Sequence, residues 1–203
     1  VWGGPGRGDG EFGGEFAGYH RGPVDVAVGP DGTVYVADDG NQRFQRFSSD
    51  GAFIRAWDAW SCPGTPASVV DPLPPASVHR VLPRGDLVRA TVPMTSWASV
   101  DLVLAAAPDG TVYGGSAGGI GRFTADGRCL GRFSGHGISP GYLGYPGPYG
   151  MDVAPDGDVY IADGEWGRVQ RFGPGGEFRG LWYVPDATPL ELAFGSDGTV
   201  FVP

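Results

Sequence analysis

From Pro23 to Trp57 short apolar runs alternate with polar, glycine-bearing breaks: PVDVAVGPDGTVYVADDGNQRFQRFSSDGAFIRAW. Val24 to Val28 reads as a first strand. Pro30-Asp31-Gly32 ends it, because proline presets φ, aspartate caps the turn and glycine accepts positive φ. Thr33 to Ala37 is β-branched and aromatic, the composition of a strand buried on both faces. Asp38-Asp39-Gly40-Asn41 turns the chain again. Arg43 to Phe47 alternates polar and apolar residues, the period of a strand with one wet face. Ser49-Asp50-Gly51 makes a third turn and Ala52 to Trp57 a fourth strand. A four-stranded meander of this kind cannot cover both its faces and needs a like unit on each side.

The unit recurs. Asp-Gly turns fall at Asp31-Gly32, Asp109-Gly110, Asp156-Gly157 and Asp197-Gly198, followed by TVYVAD, TVYGGS, DVYIAD and TVFVP. Third strands end alike, at Arg46-Phe47, Arg122-Phe123 and Arg171-Phe172. The fourth-strand segments AFIRAW, RCLGRF and EFRGLW also match. The turn aspartates are 78, 47 and 41 residues apart. Four-stranded repeats of about 40 residues predict an all-β fold, a segment of a β-propeller with antiparallel blades.

At these residues the chain resembles the NHL-repeat family. The match is PVDVAVGPDGTVYVADDGNQRFQRF, with Asn41-Gln42-Arg43 where the family shows Asn-His-Arg, so the histidine is absent. The resemblance covers most of the chain outside roughly 61–98. It implies a propeller, usually six-bladed, that acts as a binding platform. It also implies that Asp38 with Arg43, and Asp163 with Arg168, hold a turn and a blade contact. Peptide-amidating lyases share this type of propeller and use histidine-bound zinc, but their constellation does not map onto His20, His79 and His136. One fold hosts many functions, so the resemblance speaks to architecture first.

The expected organisation is one propeller domain. Residues 1–22 form the end of a preceding blade plus a connector, and 23–60 form blade 1. Residues 61–98 are an inserted excursion or a degenerate blade, with a hairpin expected from Val78 to Leu82 and Leu87 to Val92. Blade 2 covers 99–135, a connector plus blade 3 covers 136–185, and 186–203 begin blade 4. Blade 2 is degenerate, with Gly114-Gly115-Ser116 in place of V-A-D. The start VWGG resembles a fourth-strand end and Val200 to Val202 a second strand, so the chain reads as part of a longer protein.

The 203 residues suffice for a sizeable core, and the 38 glycines and 19 prolines punctuate strands instead of forming a disordered tract. No apolar run is long enough for a membrane-spanning helix. The formal charge is −9, and every basic residue is arginine, scattered among more numerous carboxylates. Nucleic-acid binding needs a basic stripe and is disfavoured. The all-arginine composition suggests a GC-rich bacterial genome. Arg7-Gly8-Asp9 and Arg84-Gly85-Asp86 read as coincidental tripeptides. The glycine-rich stretch from Gly3 to Gly10 reads as a connector, since no helical period follows to face a phosphate.

The turns after the second strands gather Asp38, Asp39, Asn41, Ser116, Asp163, Glu165 and Trp166. They form the expected face for a protein, peptide or glycan, with Trp166 as apolar anchor and carboxylates selecting a basic or polyhydroxylated partner. Asp25, Asp101, Asp152 and Glu191 lie at even offsets before the Asp-Gly turns, on one side of the innermost strand. They could attract a cation such as Ca²⁺, although no compact calcium loop accompanies them and no cofactor is otherwise expected. Cys129 aligns with Phe53 and Phe178, and Cys62 lies in the excursion. The sequence favours two free thiols over a Cys62–Cys129 bridge. The compartment stays open, leaning to the extracellular space or cell surface. The expected function is non-catalytic recognition. The alternatives are a propeller-type lyase or hydrolase with a channel metal, and a spacer or adhesion tip of a larger extracellular or phage-tail-like assembly.

Overall fold

The computed structural model describes residues 2–16, 19–59, 61–62, 102–116, 118–185, 187–195 and 198–202, and of 14–16 and 19–21 the backbone alone. The excursion from residue 63, its hairpin, His79 and Asp101 lie outside the described residues, as does the side chain of His20.

The predicted meanders are four-stranded antiparallel sheets. Blade 1 comprises β5 (Pro23–Val28), β6 (Val34–Asp38), β7 (Arg43–Phe47) and β8 (Phe53–Asp58), paired in sequence order. Blade 2 comprises β9 (Val103–Ala106), β10 (Val112–Ser116), β11 (Gly119–Phe123) and β12 (Cys129–Phe133). Blade 3 comprises β13 (Gly150–Val153), β14 (Val159–Asp163), β15 (Arg168–Phe172) and β16 (Phe178–Tyr183). A two-stranded sheet of β17 (Ala193–Phe194) and β18 (Val200–Phe201) repeats the first half of the pattern. Before blade 1, β1 (Gly4–Pro5) pairs in parallel with β2 (Glu11–Phe12), and β3 (Gly14–Phe16) pairs antiparallel with β4 (Tyr19–Arg21). Trp2 lies against Phe12 and Phe47, with ring centroids 6.2 and 4.7 Å away.

The Asp-Gly turns are built alike. Gly32, Gly110, Gly157 and Gly198 have φ between 78° and 88°, a region that only glycine enters without cost. In the first, Gly32 N–H donates to the carbonyl of Gly29, and Gly29 N–H donates to that of Thr33. The aspartate closes the turn by accepting a backbone N–H two residues on: Thr33 for Asp31, Thr111 for Asp109 and Asp158 for Asp156. These bonds, the Thr33 hydroxyl above all, hold the exposed Asp31 carboxyl below its ordinary pKa.

The chain divides into two compact units. In the first, Tyr35, Ala37, Phe44 and Trp57 of blade 1 pack with Leu102, Leu104, Val112 and Phe123 of blade 2. Burying a side chain of this size contributes about 1.5–3 kcal/mol. Gly114 faces this core: a Cβ there would lie 2.5 Å from the Phe44 ring. The glycine that makes blade 2 look degenerate is therefore the space that Phe44 fills. In the second unit, Ala162 and Val169 pack with Leu192 and Val202, and Tyr160 stands edge-on to Trp182 and Phe194.

One expectation is overturned. Cys62 and Cys129 form a disulfide, with Cα atoms 5.2 Å apart and a separation of 67 positions in sequence. Cys129 lies in β12, and the chain leaving blade 1 brings Cys62 to its side. That proximity depends on how blade 1 packs on blade 2, which Cys spacing does not encode.

Candidate functional site

The turns after the second strands do two different jobs. In blade 1 the chain makes a single 3-10 turn at Asp39–Asn41 and leaves it through Gln42 at φ 55°. Blade 3 repeats it at Gly164–Trp166, leaving through Gly167 at φ 58°. Both turns are flanked by a buried aspartate, Asp38 or Asp163.

Each aspartate is the hub of a clamp on the connector that precedes its blade. Asp38 Oδ2 accepts from Arg43 Nε (2.9 Å), Asn41 Nδ2 (2.8 Å) and Gln45 Nε2 (3.0 Å), and Oδ1 accepts from Gly13 N–H (2.8 Å). Arg43 then donates to the carbonyls of Arg7, Gly8 and Glu11, and Gln45 donates to Glu11 and accepts from Gly10 N–H. Blade 3 reproduces the clamp. Asp163 accepts from Arg168 Nε (2.7 Å), Gln170 Nε2 (2.9 Å) and Gly144 N–H (2.8 Å). Arg168 donates to the carbonyls of Ile138, Ser139 and Tyr142, and Gln170 bonds Tyr142 and Gly141. The glycine-rich start is thus the blade 1 counterpart of 138–144.

The Asp-Arg pairs are structural, as their recurrence predicts. Sequence reasoning missed Gln45 and Gln170, although their shared place two residues after the arginine was a readable signal. Among the described residues blade 2 does not repeat the Asp-Arg-Gln set: Ser116 is buried where the aspartate would be, and Gly119 and Gly121 replace the arginine and glutamine.

The structure therefore divides the seven turn residues. Asp38, Asp39, Ser116 and Asp163 are buried. Asn41 is half-buried and also donates to the carbonyl of Gly6 (2.9 Å). Glu165 and Trp166 are exposed, Trp166 by 42%. Gly144 lies against both, since a Cβ there would meet Glu165 Cβ at 2.5 Å and Trp166 Nε1 at 2.9 Å. The next residue, Tyr145, is exposed, and its ring stands 5.7 Å from that of exposed His136. Trp166, Tyr145 and His136 thus bring aromatic surface to one region beside a carboxylate. Half-buried Tyr149 completes it. Burial, with Glu165 and Asp163 adding to it, pushes its hydroxyl pKa up and keeps it protonated.

The first-strand carboxylates form a third feature. Asp25 accepts from Val26 N–H (2.8 Å) and from Leu104 N–H of blade 2 (2.7 Å). Asp152 accepts from Val153 N–H (2.8 Å) and from Phe194 N–H of the following sheet (3.2 Å). Each carboxylate joins equivalent amides of consecutive first strands. Burial raises the Asp152 pKa, and its two N–H partners offset part of that rise. Glu191 is exposed. Among the described residues no three acidic, histidine or cysteine side chains converge to hold a metal, and no helix is long and apolar enough to cross a membrane.

Comparison with known proteins agrees with this architecture. The NHL repeat profile matches residues 21–47. A search of curated protein sequences finds no match. Among solved structures, hydrazine synthase of Kuenenia stuttgartiensis is similar at TM-score 0.55 and 16% identity, over 91% of this chain and 44% of that one. Virginiamycin B lyase of Staphylococcus aureus is similar at TM-score 0.55 and 15% identity, over 89% and 48%. The WD40 repeats of RRP9 are similar at TM-score 0.55 and 13% identity, over 88% and 46%. The chain spans less than half the length of each of these proteins. The sheets, the matched repeat and these likenesses together make the chain a β-propeller segment carrying an NHL repeat.

Proposed function

We propose that the chain is a non-catalytic binding module that recognises a protein, peptide or glycan through the surface around Trp166 and Glu165. One observation carries the reading. Trp166 takes the turn position that Asn41 holds in blade 1, where the side chain is tied into the clamp. In blade 3 the clamp forms without a residue from that position, and an indole stands in solvent instead. Exposed aromatic side chains anchor interfaces, and their flat faces also stack on sugar rings. Glu165 and the −9 formal charge suit a basic or polyhydroxylated partner.

A lyase or hydrolase needs acid–base groups free to act. The buried turn aspartates and the first-strand aspartates are instead committed to N–H and guanidinium partners. This favours binding over catalysis, and the lyase reading rests on shared fold. The disulfide suits an oxidising compartment, in keeping with an extracellular or surface location.

The test is a screen of the 203-residue chain on peptide and glycan arrays beside the Glu165→Ala/Trp166→Ala variant. Hits should weaken by about 30-fold or more, the loss expected of a hot-spot residue. The melting temperature should stay unchanged, since both side chains are exposed. Hits that the variant retains at full strength would reject this face.

A further inference from the structure

Blade 1 and blade 3 each hold the same three-part contact within their own sheet. Tyr35 and Arg46 are cross-strand partners in β6 and β7, and the guanidinium lies over the tyrosine ring, 5.7 Å from its centroid. Arg46 Nη2 also donates to Asp31 of the Asp-Gly turn (3.0 Å). In blade 3, Arg171 lies over the ring of its partner Tyr160 at 5.5 Å and pairs with Asp156 (3.2 Å) and with buried Asp158. An arginine thus twice shares an aromatic ring and a carboxylate. A guanidinium suits both at once, because its plane stacks on a ring while its N–H fork meets a carboxylate.

The turn of blade 3 presents two of these groups without the third. Glu165 and Trp166 are neighbours in sequence and both are exposed. Gly144 sets their place: a Cβ there would lie 2.9 Å from Glu165 Cγ and 2.9 Å from Trp166 Nε1. The indole is packed along its N–H edge and is still 42% exposed. Among the described residues, the Glu165 carboxylate has neither a hydrogen bond nor an ion pair. Arg168, two residues on, is buried and committed to Asp163 and the connector carbonyls. Burial raises the Tyr149 hydroxyl pKa, and Glu165 and Asp163 raise it further, the mark of a negative field. The far flank of the turn is already occupied, since a Cβ at Gly164 would lie 2.8 Å from the Pro189 carbonyl oxygen. These residues all belong to one compact unit, well inside the chain. The geometry points to an arginine side chain of a peptide or protein partner as the ligand, its guanidinium stacked on the Trp166 indole and forked onto Glu165. This rests on the reading of the Trp166 surface as a binding face and names what that face takes. A lysine ammonium lacks the planar fork, a trimethylammonium has no N–H for the carboxylate, and a sugar carries no charge for the field to hold.

The experiment screens the 203-residue chain against short peptides with a central arginine and randomised flanks, then measures the hits by calorimetry. Each hit is remade with lysine or citrulline at the centre. Citrulline keeps the shape and removes the charge, so it should weaken binding about tenfold or more, and lysine should fall between the two. Glu165→Gln should cost the arginine peptide about tenfold and the citrulline peptide little. Trp166→Ala should cost the arginine peptide about tenfold through the lost stacking. An unchanged melting temperature keeps folding out of the result. Failure of every arginine peptide to bind at about 1 mM would overturn the inference. Binding indifferent to both citrulline and Glu165→Gln would overturn it too. If such peptides, or glycans, nonetheless depend on Trp166, the binding face stands and only its ligand is wrong. Peptides and glycans held equally well by the Trp166→Ala chain would remove the face itself, and the arginine site with it.

Discussion

Asn41 and Trp166 occupy the same place in two copies of one turn, yet Asn41 donates to Asp38 and Gly6 while Trp166 stands 42% exposed beside Glu165. The backbone around them is the same, a single 3-10 turn closed by a residue in the left-handed region. The exchange therefore changes the surface and leaves the scaffold alone, the usual division of labour between a rigid sheet and its loops.

The clamp predicts a large stability loss from a small change. Asp163→Ala would leave Arg168, whose side chain is 2% exposed, without its carboxylate. Breaking a buried pair of this kind costs about 3–5 kcal/mol. Urea unfolding should show the midpoint falling accordingly. A loss below about 1 kcal/mol would mean that the carboxylate does not hold the connector.

Reducing the Cys62–Cys129 bridge frees a 67-residue separation in the unfolded chain. By loop-closure entropy this is worth about 4 kcal/mol. Thermal unfolding with and without reductant, and of the Cys62→Ser/Cys129→Ser variant, should show a lowered melting temperature in both cases. Equal melting temperatures would exclude the bridge.

Two aspartates should titrate in opposite directions. Asp31, held by Thr33, has its pKa lowered, so its stabilising contribution is present above the unfolded value and is lost as pH falls through the folded one. Asp152 has its pKa raised by burial, so the folded state holds that proton longer and stability falls as pH rises between the unfolded and folded values. Carbon-detected NMR titration of the side-chain carboxyls should place Asp31 below and Asp152 above the ordinary aspartate value. The reverse order would contradict the Thr33 bonds to Asp31 and the burial of Asp152.

The strands were legible because each carries its own local signal. Asp31-Gly32 and its counterparts need positive φ at glycine, and Val34 to Asp38 has a β-branched and aromatic composition that a pleated sheet favours. The pairing of Asp38 with Arg43 was legible because it recurs. The burial of Asp38, Asp39, Ser116 and Asp163 was not, since turn residues are normally wet; at Asp38 and Asp163 it is the preceding connector that closes over the carboxylate. The place of Tyr145 and His136 beside Trp166 was not legible for a related reason: it arises through the close approach of Gly144, which no local pattern announces. The disulfide depends in the same way on contacts between distant segments.

The grip of Arg43 on Arg7, Gly8 and Glu11, and of Arg168 on Ile138, Ser139 and Tyr142, fixes what can be inherited as one piece. A gene duplication copying only the four strands would deliver an aspartate and an arginine with nothing upstream to seize. The transferable module starts near Gly6 or Gly137, well ahead of its sheet, and recombination or grafting between such proteins should respect that earlier seam.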